Sequence, residues 1–361
     1  MTAHTPQLQK QAWEQLLRLL SGRSWQFRPE HWPYLQRLAQ WHHIVLELYR
    51  ELSRHTDQHQ FDRQQLEILH QSVLAERKNL LLLTELQNQA STELKARGIR
   101  ALFFKGVLAG QWLHGSNLAR QCRDIDLIVH PDDHESAFQA LQQIDCFRLI
   151  PAEGLSAFAM ARYRAAMKDY SLVHRPSGGL IELHWSLRPF RQAFEFDFDT
   201  AWEKHTDINI DGNAIPTFDN ATHIRYLATH GCNSHWGRLC WLLDWRQICQ
   251  LNPDWQTLVE DCANDREKAH LKQAFALANK QLGLPIPDAI SALPTPPLGE
   301  YSIRTQARSQ MQGQYPGWYA RQILQLACQH NLPGGLGYLM HMGKKALAAD
   351  TLRPKVPNIP K

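Results

Sequence analysis

Residues 124–129 read Asp-Ile-Asp-Leu-Ile-Val, two acids spaced two apart in a run that is otherwise apolar and mostly β-branched. Such a run predicts a strand, and on a strand residues i and i+2 share a face. Asp124 and Asp126 then project side by side. Like charges that close repel and raise each other's pKa. A divalent cation removes the repulsion, and Mg²⁺ favours one or two carboxylates together with phosphate oxygens. The spacing therefore points to phosphoryl or nucleotidyl chemistry. Such a site needs a third ligand, and Glu182 is the best candidate, because it interrupts a second apolar run between Ile181 and Leu183. Neighbouring strands lie about 4.8 Å apart, so carboxylates on one face can converge on an ion. Two metals, Mg²⁺ or Mn²⁺, roughly 3.5–4 Å apart would activate an attacking oxygen and stabilise a leaving pyrophosphate. The competing structural reading has Asp124 capping a turn and Glu182 facing solvent on an edge strand.

Other residues fit around this set. Lys105-Gly106 follows the strand-like run 99–104 and precedes a short helical pattern, and a helix N-terminus with a glycine suits phosphate. Arg120 and Arg123 flank the acid pair and can grip a triphosphate or an acceptor with their forked guanidinium groups, or pair with an acid or solvent instead. His184 shares a strand face with Glu182 and would serve as a ligand, a partner of a ligand or a proton carrier, with a structural histidine equally open. His230, Cys232 and His235, with Cys240 nearby, match no trusted zinc spacing and read as core among Trp236, Trp241 and Trp245. Asp244 in that apolar stretch would pair with Arg238 or reach the site.

These residues require elements to hold them. Apolar residues at spacings of three and four predict helices over the first hundred residues, one of them over 32–54 and a long one over 61–97 that Gly98 stops. An α/β texture follows. It has strands near 99–104, 124–129 and 147–150, a helix over 131–144, a hairpin pairing 170–174 with 180–185, and a second hairpin over 207–218. Helical texture returns from about residue 220. The reading is an α+β chain: a helical region over 1–97, a small mixed sheet with flanking helices over 98–218, a helical region over 219–350 and a flexible basic tail over 351–361.

Composition narrows the class. The chain has 361 residues, and its 43% hydrophobic content excludes general disorder. Its net charge of +4 gives no argument for nucleic-acid binding. Seven cysteines without a CxxC favour a reducing compartment over a disulfide framework. No apolar run reaches the ~18 residues of a membrane span, and the N-terminus lacks a signal-peptide pattern, so the expectation is a cytoplasmic protein. GxSxG, Walker A and Rossmann glycine patterns are absent, which removes serine-hydrolase and P-loop readings. A kinase lacks its glycine-rich loop.

The order Phe104-Lys105-Gly106, then Asp124 to Val129, then Glu182 to Trp185 resembles the nucleotidyltransferase superfamily of the DNA polymerase β type. More narrowly it is similar to an uncharacterised bacterial nucleotidyltransferase family with an LKG…DIDLLV…ELHW pattern, and residues 229–244 resemble that family's helical C-terminal part. The resemblance implies a metal triad of Asp124, Asp126 and Glu182, and a nucleoside triphosphate as substrate. Lys105-Gly106 stands where most superfamily members carry Gly-Ser or Gly-Gly, so the serine hydroxyl is missing. The leading expectation is Mg²⁺-dependent transfer of a nucleotide to an acceptor, which is a small molecule, RNA or protein. The alternative is a non-catalytic nucleotide- or partner-binding protein on the same scaffold.

Overall fold

Among the described residues the β-branched and aromatic runs form seven strands: β1 (Ala101–Phe104), β2 (Asp124–Val129), β3 (Cys146–Ile150), β4 (Asp169–His174), β5 (Leu180–His184), β6 (Thr206–Ile210) and β7 (Asn213–Thr217). They make one mixed sheet in the order β3-β4-β5-β2-β1-β7-β6. The computed structural model describes residues 5–54, 63–151, 154–187, 194–295 and 299–317. The predicted basic tail lies outside them. The chain divides into two units. A sheet unit holds Leu81–Leu108 and Arg123–His223, and a helical unit takes the described residues up to Leu80, Ala109–Cys122 and those from Ile224 onward.

The helices are α1 (Thr5–Leu20), α2 (Trp32–His42), α3 (Val45–Ser53), α4 (Arg63–Ala96), α5 (Gly106–His114), α6 (His134–Gln142) and α7 (Ala157–Ala166). After them come α8 (Phe198–Glu203), α9 (Asn220–Asn233), α10 (Leu239–Gln250), α11 (Trp255–Glu260), α12 (Asp265–Leu282), α13 (Asp288–Ser291) and α14 (Gly299–Gln312). The division between units falls inside α4, α5 and α9. The expected α+β class, a mixed sheet with helices before, between and after its strands, is what the chain adopts. Among the described residues no helix is long and apolar enough to cross a membrane.

Strand β2 fixes the acids. Ile125, Leu127, Ile128 and Val129 are each at most 1% exposed. Burying such side chains contributes about 1.5–3 kcal/mol apiece, about 6–12 kcal/mol for the four together, which exceeds the several kcal/mol that one buried carboxylate costs. The strand can therefore carry Asp126, only 2% exposed, into the sheet. β2 runs parallel to β5, with Asp126 opposite Glu182 and Ile128 opposite His184. It runs antiparallel to β1, with Asp126 opposite Phe104. β4 pairs antiparallel with β5 and sets Asp169 opposite His184 and Ser171 opposite Glu182.

Two predicted helices are divided. The helix expected over 32–54 breaks at His43, whose φ of 54° is left-handed, so α2 ends and α3 starts afresh at Val45. Buried His42 accounts for the break. Its Nε2 meets the Gln310 carbonyl at 2.8 Å and its Nδ1 accepts from the Leu239 amide at 3.1 Å. Those partners, remote in sequence, fix the ring and end the helix there. The helix expected over 131–144 opens as a 3₁₀ turn at Pro131–Asp133 before α6 begins.

Candidate active site

Three ligand-bearing side chains meet on one face of the central strands. Asp126, Glu182 and His184 place a carboxylate oxygen, a carboxylate oxygen and a ring nitrogen all within 4.8 Å of one another. The strands bring this about: Asp126 and Glu182 are opposite each other across β2 and β5, and His184 lies two residues beyond Glu182 on the same face. His184 Nε2 lies 3.3 Å from Asp126 Oδ1 and 3.3 Å from Glu182 Oε2. Its other nitrogen, Nδ1, lies 3.6 Å from Asp169 Oδ2 and 3.3 Å from Lys168 Nζ. The Phe104 ring packs on the imidazole at 5.2 Å between centroids. His184 is fully buried and spans three carboxylates.

Charge balances locally. Lys105 Nζ sits 2.6 Å from Asp126 Oδ1. Lys168 Nζ bonds the Asp169 carboxylate and lies 3.9 Å from Glu182 Oε2. Asp126, Asp169 and Glu182 are thus faced by Lys105, Lys168 and His184. Both contacts to Asp126, from Lys105 and His184, fall on the same oxygen, Oδ1. The field shifts the proton equilibria of these groups. The hydrogen bond from His184 is the largest influence on Glu182; with the charges of His184, Lys168 and Lys105 it outweighs burial and holds the carboxyl well below its usual range. For His184, burial opposes the charged form and so does Lys168. Hydrogen bonds to Asp126 and Glu182 and the field of Asp169 overcome both, and the pKa is raised.

The turn before the site is tightly built. Lys105 and Gly106 both have positive φ, 60° and 53°. A Cβ at Gly106 would lie 2.9 Å from the backbone oxygen of Asp124. Glycine lets this turn sit against the start of β2 and aims the Lys105 side chain at Asp126. α5 begins at Gly106, as the sequence predicts.

The other candidates are placed differently. Asp124 opens β2 on the same face as Asp126, half-buried and opposite Leu180, and is outside the three-residue group. Arg123 is exposed just before β2. Arg120 belongs to the helical unit, where its Nε and Nη2 donate to Asp244 Oδ1 at 2.7 Å and Oδ2 at 2.8 Å. The partner of Asp244 is therefore Arg120. Arg238, the partner expected for Asp244, instead bonds the Trp41 carbonyl and stacks 4.0 Å over the Trp41 ring. The aromatic stretch after Thr229 is core: Trp236 and Trp245 are each 1% exposed, and a Cβ at Gly231 would lie 2.5 Å from the Trp236 ring.

Lys168 and Asp169 escaped the sequence reading. Their signal was present in the hairpin: extending the antiparallel pairing of 170–174 with 180–184 by one step puts residue 169 opposite His184. A charged pair at a strand entrance reads as a turn, and only the pairing register reveals its second role.

A solved structure described as an antigenic nucleotidyltransferase-like protein from Paracoccidioides brasiliensis is similar to this chain at 19% identity, over 59% of this chain and 94% of that one, with a TM-score of 0.34. No curated protein matches the chain. The sequence model of a family described as uncharacterised nucleotidyltransferase matches residues 28–283, which take in all seven strands and every candidate site residue. The chain belongs to that uncharacterised nucleotidyltransferase family.

Proposed function

We propose that the chain transfers a nucleotide from a nucleoside triphosphate to an acceptor, with Mg²⁺ or Mn²⁺ held at the face of β2 and β5. The observation that carries this reading is the convergence of Asp126, Glu182 and His184 within 4.8 Å in a chain of this family. The donors fit a hard cation. Asp126 Oδ1 and Glu182 Oε2 flank the imidazole, and Asp124 opens the same face. Asp126, Glu182 and Asp124 would hold the ion, which supplies charge neutralisation at phosphate oxygens and at the attacking oxygen.

The protein's own groups have separable tasks. Glu182 is a poor proton acceptor at neutral pH, because its pKa is held low and basicity falls with pKa. It therefore serves as a ligand, and proton removal from the acceptor is left to another group or to water. His184 bridges the acids through one nitrogen and faces Asp169 through the other, so it orients the carboxylates. Lys105 is a point charge on Asp126, placed to serve the triphosphate beside the N-terminal amides of α5. Arg123, exposed at the entrance to β2, offers a fork to the same phosphates or to the acceptor. Arg120, its fork spent on Asp244, has no part in this assignment.

Isothermal titration with ATP, GTP, CTP and UTP in Mg²⁺ tests the reading. At least one triphosphate binds the parent, and Asp126→Ala loses it; no binding of any, with Asp126→Ala indistinguishable from the parent, sinks the proposal. One observation favours the second reading, nucleotide binding without transfer: the Lys105 ammonium already neutralises one Asp126 oxygen at 2.6 Å and competes there with a metal. Intact mass spectrometry of co-purified partners after incubation with triphosphates separates the two, since a nucleotide adduct requires transfer.

A further inference from the structure

The long helix α4 is apolar on two sides. One side is buried: Leu69, Val73, Leu80, Leu83 and Leu86 are each at most 2% exposed. The other side faces out. Ile68, Leu74, Leu81 and Leu82 are 47%, 45%, 53% and 41% exposed, four of the ten large apolar side chains left exposed among the described residues. Exposed Ala75 lies among them. The set recurs in steps of seven, at 68, 75 and 82 and at 74 and 81. It therefore forms one stripe, roughly 21 Å long at 1.5 Å per residue. Single exposed leucines need no account, but a continuous stripe marks a contact surface. A helix apolar on two sides belongs between two layers.

The charges on the stripe bear on what covers it. Lys78 stands exposed in the middle. The positions three and four residues away on the helix are Leu74, Ala75, Leu81 and Leu82, so its own helix face offers it no acid. Exposed acids mark the two ends of the stripe. Glu67 accepts from the Gln71 amide at 2.7 Å, and Glu85 from the Gln89 amide at 2.8 Å. The stripe thus reads acid, base, acid, with apolar residues between.

We infer that the exposed face of α4 binds the same face of a second copy of this chain, antiparallel, with Lys78 and Glu67 setting the register. With Leu74 opposite Ala75 of the second copy, Ile68 falls opposite Leu81. Lys78 then falls opposite Gln71 and one turn from Glu67, and Leu82 lies on the stem of Glu67. The apolar residues of the stripe are covered, and a Lys78–Glu67 pair forms on each side of the two-fold axis. A parallel pairing in register sets Lys78 against Lys78 and is disfavoured by like charge. An antiparallel pairing of Lys78 with Glu85 places Ile68 and Leu74 opposite Lys95 and Gln89 and leaves them without apolar cover. One helix face is a small interface, so the dimer dissociates on dilution.

Sedimentation equilibrium of the full chain over a wide range of concentration tests this. The parent is expected to be a dimer when concentrated and a monomer when dilute. Leu74→Glu weakens association at least tenfold and leaves the thermal unfolding curve of the dilute protein unchanged, because the side chain is exposed. Lys78→Glu and Glu67→Lys each weaken association several-fold, since each sets like charges together. An equal mixture of those two variants recovers it, because both pairs are again of opposite sign. A parent that is monomeric at every concentration overturns the inference, as does a dimer that Leu74→Glu leaves intact. A mixture that associates no better than the two variants alone overturns it too, by removing the Lys78–Glu67 register.

Discussion

Asp244 and Asp126 are both aspartates buried in predominantly apolar elements, 3% and 2% exposed, and they are treated in opposite ways. Asp244 on α10 meets the fork of Arg120, and each carboxylate oxygen takes one hydrogen bond at 2.7 or 2.8 Å. Burial works against its charge, but the field and hydrogen bonds of Arg120, with help from His114, hold its pKa low. Asp126 on β2 meets an ammonium and an imidazole, and both contact the same oxygen. A guanidinium fork saturates a carboxylate, whereas a lysine is a point charge on a long stem that can leave. The first arrangement occupies both oxygens; under the proposed function the second keeps one available. The proposed division into a structural and a functional acid therefore rests on the number of oxygens consumed, not on burial or ionic partners alone.

The contrast can be broken most forcefully at Asp244. Asp244→Ala strands the Arg120 charge and is expected to cost about 3–5 kcal/mol in urea denaturation, while replacing both partners by apolar residues recovers most of that loss. Asp126→Asn removes a charge that faces Lys105 and His184 but keeps a hydrogen-bonding oxygen in its place, and its stability stays within about 1–2 kcal/mol of the parent. A larger loss for Asp126→Asn than for Asp244→Ala would reverse the assignment.

Two buried histidines sharpen the comparison through pH. Burial holds His42 of the helical unit down at about 3. A histidine depressed in the folded state binds its proton more readily when unfolded, so stability is full above pH ~6.5 and falls as pH drops towards 3. The loss between pH 7 and 5 is about 2 kcal/mol, and His42→Gln flattens that part of the profile. His184 is shifted upward, so its contribution is present below pH ~6.5 and fades as pH rises through its folded value. Denaturation midpoints of the parent and His42→Gln across this range check both signs.

Gly106→Ala places a side chain at φ 53° and 2.9 Å from the Asp124 oxygen. A left-handed alanine costs roughly 1–2 kcal/mol before the clash is added. The predicted consequence is lower stability together with weaker nucleotide binding, because the turn that aims Lys105 must shift. The smallest effect expected is at Lys105 itself. Lys105→Met removes the cation that competes for Asp126, so affinity for Mn²⁺ alone rises several-fold while affinity for triphosphate falls. If both move in one direction, Lys105 has no exchange role.

Much of this was legible in the chain itself. β2 occupies the residues of the Asp-Ile-Asp run, and Glu182 and His184 follow β5 onto the same face, because period-two patterning is a local property. Partners set by tertiary contact were less legible. Arg120 and Arg123 look alike beside the acid pair, yet one closes on Asp244, 124 positions away in sequence. His43 carries no mark of a helix break, since the bonds that fix His42 come from Leu239 and Gln310. Lys168 and Asp169 needed the hairpin register before their position beside His184 could be seen.

The central claim is that Asp126 keeps a carboxylate oxygen available for a cation. Mn²⁺ titration followed by electron paramagnetic resonance, on the parent and on Asp126→Asn with matched thermal unfolding curves, tests it most directly. The account predicts saturable binding to the parent and at least a tenfold loss in the folded variant. Equal Mn²⁺ affinity in the two proteins would contradict it.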